Sequence, residues 1–268
     1  MKSEEIKKVI KEKYGAIANQ SIQMAPLSCC GSSGCCGKLE FSMIGDEYQA
    51  VEGYHPDADL GLGCGIPTHF ADIKKGDHLL DLGSGAGNDC FVARAIVGDS
   101  GKVTGLDFTE AMVCRAVENA QKLGHTNVSF VKGDIEEMPF PDDTFDVIVS
   151  NCVLNLVPDK NKAFAEISRV LKPSGHFCVS DVVLTGKLPE ELKNDAVMYA
   201  GCVSGAVEIS EYLSIIELQG FKHITVHKQK EILIPEEVLG KYLSLTESVL
   251  LKNSDSGIYS ITVSGYKS

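Results

Sequence analysis

From His78 to Val183 the chain alternates short, nearly continuous apolar runs with segments of helical periodicity. Few folds accommodate that order. Strands that are apolar on both sides need helices above and below them, which predicts an α/β protein built on a parallel sheet. The runs are 78–83 (HLLDLG), 102–108 (KVTGLDF), 127–134 (NVSFVKGD), 145–151 (FDVIVSN) and 176–183 (HFCVSDVV). The clearest helix follows Asp159, a suitable N-cap, and carries Ala163, Phe164, Ile167, Val170 and Leu171 on one stripe before a KPSG break. Further helices are expected at 189–200, at 211–219 between a Ser210 cap and a Gly220 stop, and from Pro235 to Leu245. Two more strands, 221–229 and 258–267, complete a seven-stranded, mostly parallel sheet with helices on both faces. The turn from Asn253 to Gly257 is too short for a parallel crossover, so the last strand should insert antiparallel.

The first 75 residues differ in kind. An amphipathic helix carries Ile6, Val9, Ile10 and Tyr14, a Cys/Gly/Ser-rich loop runs from Ser28 to Gly37, and a glycine-rich turn occupies 61–65. This segment reads as an N-terminal Cys-rich cap on a domain spanning 76–268, within which 184–220 supplies helices on the substrate side. The net charge of −12, from 25 basic and 37 acidic residues, has the wrong sign for a surface that tracks phosphates, so nucleic acid is excluded as a partner. No apolar run approaches the roughly 18 residues of a membrane span, and the opening MKSEEIKKVIKEKYG has no apolar signal core, which predicts a cytoplasmic protein with no membrane partner.

The segment LLDLGSGAGND follows the first strand and opens a helix, so Gly83, Gly85 and Gly87 let the backbone turn tightly and bring a ligand to the helix N-terminus. The spacing is G-x-G-x-G. A dinucleotide fingerprint needs a third glycine where Asn88 stands, and the acid Asp81 on the preceding strand suits a cationic, amino-acid-bearing ligand, which favours S-adenosylmethionine. Asp107 ends the second strand, where a carboxylate can accept from two ribose hydroxyls or cap a helix. Asp134 ends the third strand, either as acceptor for an adenine amino group, with Ile135 and Met112 against the ring, or as a surface turn acid. Ser84, Phe108 and Asn151 complete the candidate cofactor contacts. From His78 to about Val183, down to FPDDTFDVIVSN and RVLKPSGHF, the chain resembles the Rossmann-like S-adenosylmethionine-dependent methyltransferases.

Ten cysteines without an export signal read as reduced thiols. Cys90, Cys114 and Cys178 fall inside helical or strand patterns and are expected as small buried hydrophobes. Cys152 follows the fourth strand, at the end where α/β sheets bind ligands, although a cysteine there can equally be packing. Cys64 stands between Gly63 and Gly65, and Cys202 stands beside Gly201 and ahead of Ser204-Gly205, contexts too flexible and too poor in apolar neighbours for a core.

KYG near the N-terminus, the CC-rich loop, GLGCGIP, the methyltransferase core, SNCVLNL and GCVSGA together resemble the arsenite methyltransferase family over almost the whole chain. That resemblance implies that Cys64, Cys152 and Cys202 bind arsenic as thiolates and that the substrate is arsenite or another trivalent arsenical. It also implies that S-adenosylmethionine donates methyl and that a thiol reductant, thioredoxin or glutathione, is a co-substrate. Soft thiolates suit a thiophilic centre, and three of them leave the arsenic lone pair at the apex of a pyramid, aimed at the methyl group with no general base required. Val207 stands where related sequences often carry Leu. The cluster Cys29, Cys30, Cys35 and Cys36 matches no family pattern and is open to three readings: a zinc site, a redox relay, or a loop that captures arsenic. Two rival functions remain: a methyltransferase of a small organic acceptor, like the quinone-biosynthesis enzymes that share the core, and a thiol protein that sequesters metalloid without consuming donor.

Overall fold

The structure is a computed structural model, and it describes residues 3–20, 48–186, 205–233 and 256–268. The cluster Cys29, Cys30, Cys35 and Cys36, the thiol Cys202, and the helices expected at 189–200 and from Pro235 lie outside the described residues. Seven strands form one sheet in the order β3-β2-β1-β4-β5-β7-β6. They are β1 (His78–Leu82), β2 (Lys102–Asp107), β3 (Val128–Lys132), β4 (Phe145–Asn151), β5 (Leu171–Thr185), β6 (Lys222–Glu231) and β7 (Gly257–Tyr266). The first five pair in parallel, and β7 lies antiparallel between β5 and β6. The helices are α1 (Ser3–Gln20), α2 (Asn88–Val97), α3 (Glu110–Leu123), α4 (Lys160–Val170) and α5 (Ile209–Leu218).

Alternation along each strand divides the core. Leu80, Leu82, Ile148, Phe177 and Val179 meet Phe164, Ile167, Tyr212 and Ile216 of α4 and α5, whereas Leu79, Val103, Val147 and Val149 meet Cys90, Ala93 and Val97 of α2. Each fully buried large apolar side chain there contributes roughly 1.5–3 kcal/mol. Asp159 caps α4 as its sequence suggests, accepting the Lys162 N–H at 3.0 Å.

Four local expectations are corrected. The KPSG segment lies within β5: Leu171 pairs with Phe145, the register shifts, and pairing resumes between His176 and Val147, with Ser174 at φ 65°. The cap of α5 is Glu208, whose carboxylate accepts the Ser210 N–H at 2.8 Å, so Ser210 sits inside the helix. Cys114 is exposed, because it lies two positions from the buried Met112 and therefore about 200° round α3 from the stripe formed with Ala116 and Ala120. Cys178 is buried as expected, but Cys90 is more than a small hydrophobe, since its thiol donates to Asp81 Oδ2 at 3.2 Å. Among the described residues no helix is long and apolar enough to cross a membrane.

Candidate active site

The carboxyl ends of β1 to β4 open onto one cavity. Gly83, Ser84, Gly85 and Asn88 line it after β1, Asp107 and Phe108 at the end of β2, Asp134 and Ile135 after β3, and Asn151 and Cys152 at the end of β4; Asp81 and Met112 also face it. Gly87 is not among the lining residues. At φ 99° it is the left-handed cap of α2, and a Cβ there would fall 2.9 Å from the Phe91 ring and 3.0 Å from that of Phe130. The loop is pinned to β2: the Gly83 and Ser84 N–H groups donate to Leu106 O at 2.7 and 3.0 Å, and the Gly85 N–H donates to Asp107 Oδ2 at 3.0 Å. Asp107 Oδ1 accepts the Thr109 N–H at 2.7 Å, so the carboxylate is fixed while each oxygen keeps acceptor capacity towards the cavity.

Among the described residues five carboxylates line this cavity, those of Asp59, Asp81, Asp89, Asp107 and Asp134, against the single cation Lys7. Burial and the neighbouring Asp89 charge hold Asp81 well above the usual carboxylate range, and burial raises Asp89 and Asp107, opposed by the hydrogen bonds each accepts. A cationic ligand would lower these raised values on binding and a phosphate would raise them further, so such a lining suits a cation. The open space over Gly85 and the buried Ser84 Oγ and Asn88 Oδ1, which have no partner among the described residues, suit a polar, positively charged ligand such as S-adenosylmethionine.

Beside the cavity the turn at 63–65 lies flat on the sheet. The Cys64 N–H donates to Asn151 Oδ1 at 3.0 Å, and Ser260 Oγ donates to Cys64 O at 2.5 Å. A Cβ at Gly63 would fall 2.6 Å from Asn151 Nδ2, and one at Gly65 would fall 2.5 Å from Ser180 Oγ. The glycines around Cys64 therefore serve close approach of the backbone, not the flexibility expected from their context. Cys152 adopts φ 59°, a left-handed conformation that costs a side-chain-bearing residue about 1–3 kcal/mol, and its N–H donates to Ser180 O at 2.7 Å. Both thiols are buried, and the Tyr212 hydroxyl is pushed up by burial and then by the Asp181 carboxylate it donates to. Cys152 lines the cavity, and Cys64 sits beside it on the Asn151 amide.

Residues 73–220 match a family described as a methyltransferase domain. An arsenite methyltransferase from Aquipseudomonas alcaligenes is 34% identical over 265 residues, covering 95% of this chain and 70% of its own length. The chain belongs to the arsenite methyltransferase family. Another member, from Halobacterium salinarum, is 37% identical over 235 residues, which cover 85% of this chain and 60% of that protein, so the chain spans less than two thirds of its length. The crystal structure of an arsenic(III) S-adenosylmethionine methyltransferase from Chlamydomonas reinhardtii matches with a TM-score of 0.64 at 33% identity, covering 76% of this chain and 67% of that one.

In this arsenite methyltransferase family member several cavity residues escaped sequence reasoning. Lys7, Ile10 and Tyr14 come from α1, and Lys7 Nζ pairs with Asp134 Oδ2 at 2.6 Å and with Glu136. Tyr48 and Asp89 also line the cavity. Asp89 directly follows Asn88, so an acid in the first helical turn was its available signal; Tyr48 had none, because it arrives from a distant 3-10 turn, Tyr48–Ala50. Behind the thiols Asp181 is fully buried, accepts from Tyr212 Oη at 2.9 Å, and is pushed up to about 7 by burial, which the Lys160 charge and the hydrogen bonds it accepts oppose. Lys160 is buried too and donates to Asn155 O at 3.1 Å and Val157 O at 3.2 Å.

Proposed function

We propose that this chain transfers methyl groups from S-adenosylmethionine to trivalent arsenic, supplied as arsenite or another trivalent arsenical and held by the thiolates of Cys64, Cys152 and Cys202, in arsenic detoxification. The observation that carries the reading is the position of Cys152: it lines the acid-rich cavity directly after Asn151, whose amide oxygen accepts the Cys64 N–H at 3.0 Å. For Cys202 the support is covalent. It precedes Gly205 by three peptide units, which span at most about 11 Å, and Gly205 packs directly on Asn155, three residues beyond Cys152.

S-adenosylmethionine, when bound, supplies an electrophilic methyl group on a sulfonium. Asp107 offers its remaining acceptor capacity to ribose hydroxyls, Ser84 and Asn88 offer unpaired polar atoms, and Asp81 and Asp89 complement positive charge. Ile135, Met112 and Phe108 give an apolar wall for the base. Asp134 can accept from an amino group only alongside Lys7 and the Glu136 N–H, which it already binds at 2.9 Å. Three thiolates hold arsenic with its lone pair opposite them, and α1 contributes by covering the cavity against water. Each methylation oxidises arsenic formally by two electrons; thiols return them by forming a disulfide, and thioredoxin or glutathione reopens it.

Incubating the protein with S-adenosylmethionine, arsenite and a thiol reductant, then separating arsenic species, should yield methylated arsenicals in step with S-adenosylhomocysteine. Donor binding without any methylated arsenic would overturn the reading.

A further inference from the structure

Asp89, Tyr48 and Asn151 meet where the cavity adjoins the Cys64 turn. Tyr48 Oη donates to Asp89 Oδ1 at 2.6 Å, and Asn151 Nδ2 lies 3.1 Å from Asp89 Oδ2, 2.8 Å from Tyr48 Oη and 2.8 Å from Gly65 O. The oxygen of the same Asn151 amide accepts the Cys64 N–H. One half-buried carboxylate, directly and through Tyr48 Oη, therefore ties together the first turn of α2, the Tyr48 turn and the end of β4, and through the Asn151 amide it reaches the backbone that carries a thiol. All three side chains also line the cavity. Hydrogen bonds that share donors and acceptors in this way align one another, so a ligand that fixes Asp89 fixes Asn151, and anything that fixes the Cys64 turn fixes Asp89 in return.

We propose that Asp89 and Tyr48 are positioning residues that couple occupation of the cavity by the cationic methyl donor to placement of Cys64 for its substrate. The proposal rests on the arsenic-methylating reading, but its test does not need turnover. Coupling between two sites is reciprocal and commonly amounts to 5-fold or more. Sinefungin, a cationic donor analogue with no transferable methyl, is titrated calorimetrically into the wild-type protein with and without phenylarsine oxide. In parallel, the rate of Cys64 alkylation by iodoacetamide is read by peptide mass spectrometry with and without sinefungin.

In the wild type, phenylarsine oxide should tighten sinefungin binding about 5- to 10-fold, and sinefungin should change the Cys64 alkylation rate by about 2-fold or more. In Tyr48→Phe, which keeps the ring but loses the donor, both factors should fall towards one; Asp89→Asn, which keeps the shape but replaces one of the two accepting oxygens with a donor, should act the same way. A purely structural role predicts weaker folding with the two factors intact, and that result overturns the proposal, as do factors near one in the wild type. Wild-type coupling without methylated arsenic would instead condemn the functional reading and leave the coupling standing.

Discussion

Gly205 packs so closely on Asn155 that a Cβ at residue 205 would lie 1.8 Å from the Asn155 carbonyl oxygen. Because the obstacle is backbone, no side-chain rotation relieves it. Gly205→Ala should destabilise the protein by about 1–3 kcal/mol, read as a lower urea midpoint, and should depress arsenite methylation more than donor binding. An unchanged midpoint would show that the 205 segment does not sit on Asn155.

The three-thiol reading makes a sharper demand. Cys64→Ser, Cys152→Ser and Cys202→Ser each replace a soft ligand with a hard one of nearly the same size. Each should lower arsenite methylation by a factor of about 100 or more while S-adenosylmethionine affinity, measured by calorimetry, stays within a few-fold of wild type. Full activity in any one variant removes that residue from the ligand set.

Lys7 joins α1 to Asp134 and Glu136 at the rim of the cavity. Lys7→Met keeps the stem but loses the charge. With Asp134 partly exposed, screening limits the effect on global stability to about 1 kcal/mol, whereas the donor should dissociate several-fold faster in stopped-flow measurements. If the dissociation rate is unchanged, α1 does not hold the donor in place.

Asp181 sets a pH dependence whose sign is fixed by burial. Its carboxyl is pushed up to about 7 in the fold, against an ordinary value of 3.8. From pH 4 to 7 the unfolded chain therefore releases a proton that the folded chain keeps, and stability declines as pH rises through that window, by at most a few kcal/mol in total. Asp181→Asn retains an acceptor for Tyr212 and lacks the ionisation. Its melting temperature relative to wild type should rise between pH 4.5 and pH 7.5; a difference independent of pH would mean that Asp181 titrates in the ordinary range.

The boundary of what the chain discloses runs along interaction range. Strand runs, the Asp159 cap, the glycine loop and the antiparallel seventh strand follow from periodicity, local hydrogen bonding and connection length, all carried by neighbouring residues. Context misled where neighbours are not the partners. The glycines at 63 and 65 look like flexibility, yet they exist because Asn151 and Ser180 press on them from β4 and β5. Cys114 looks apolar in a helix but falls on its exposed face.

Sequence by itself determined the methyltransferase architecture and singled out Cys64 and Cys152, because each stands in a short motif whose chemistry is local. Tertiary structure alone decided that the Cys64 turn docks on Asn151 beside Cys152, that α1 brings Lys7 to Asp134, and that Tyr48, Asp89 and Asn151 share one set of hydrogen bonds. Those relations depend on how the sheet and helices pack. Packing brings together side chains far apart along the chain, and no periodicity encodes it.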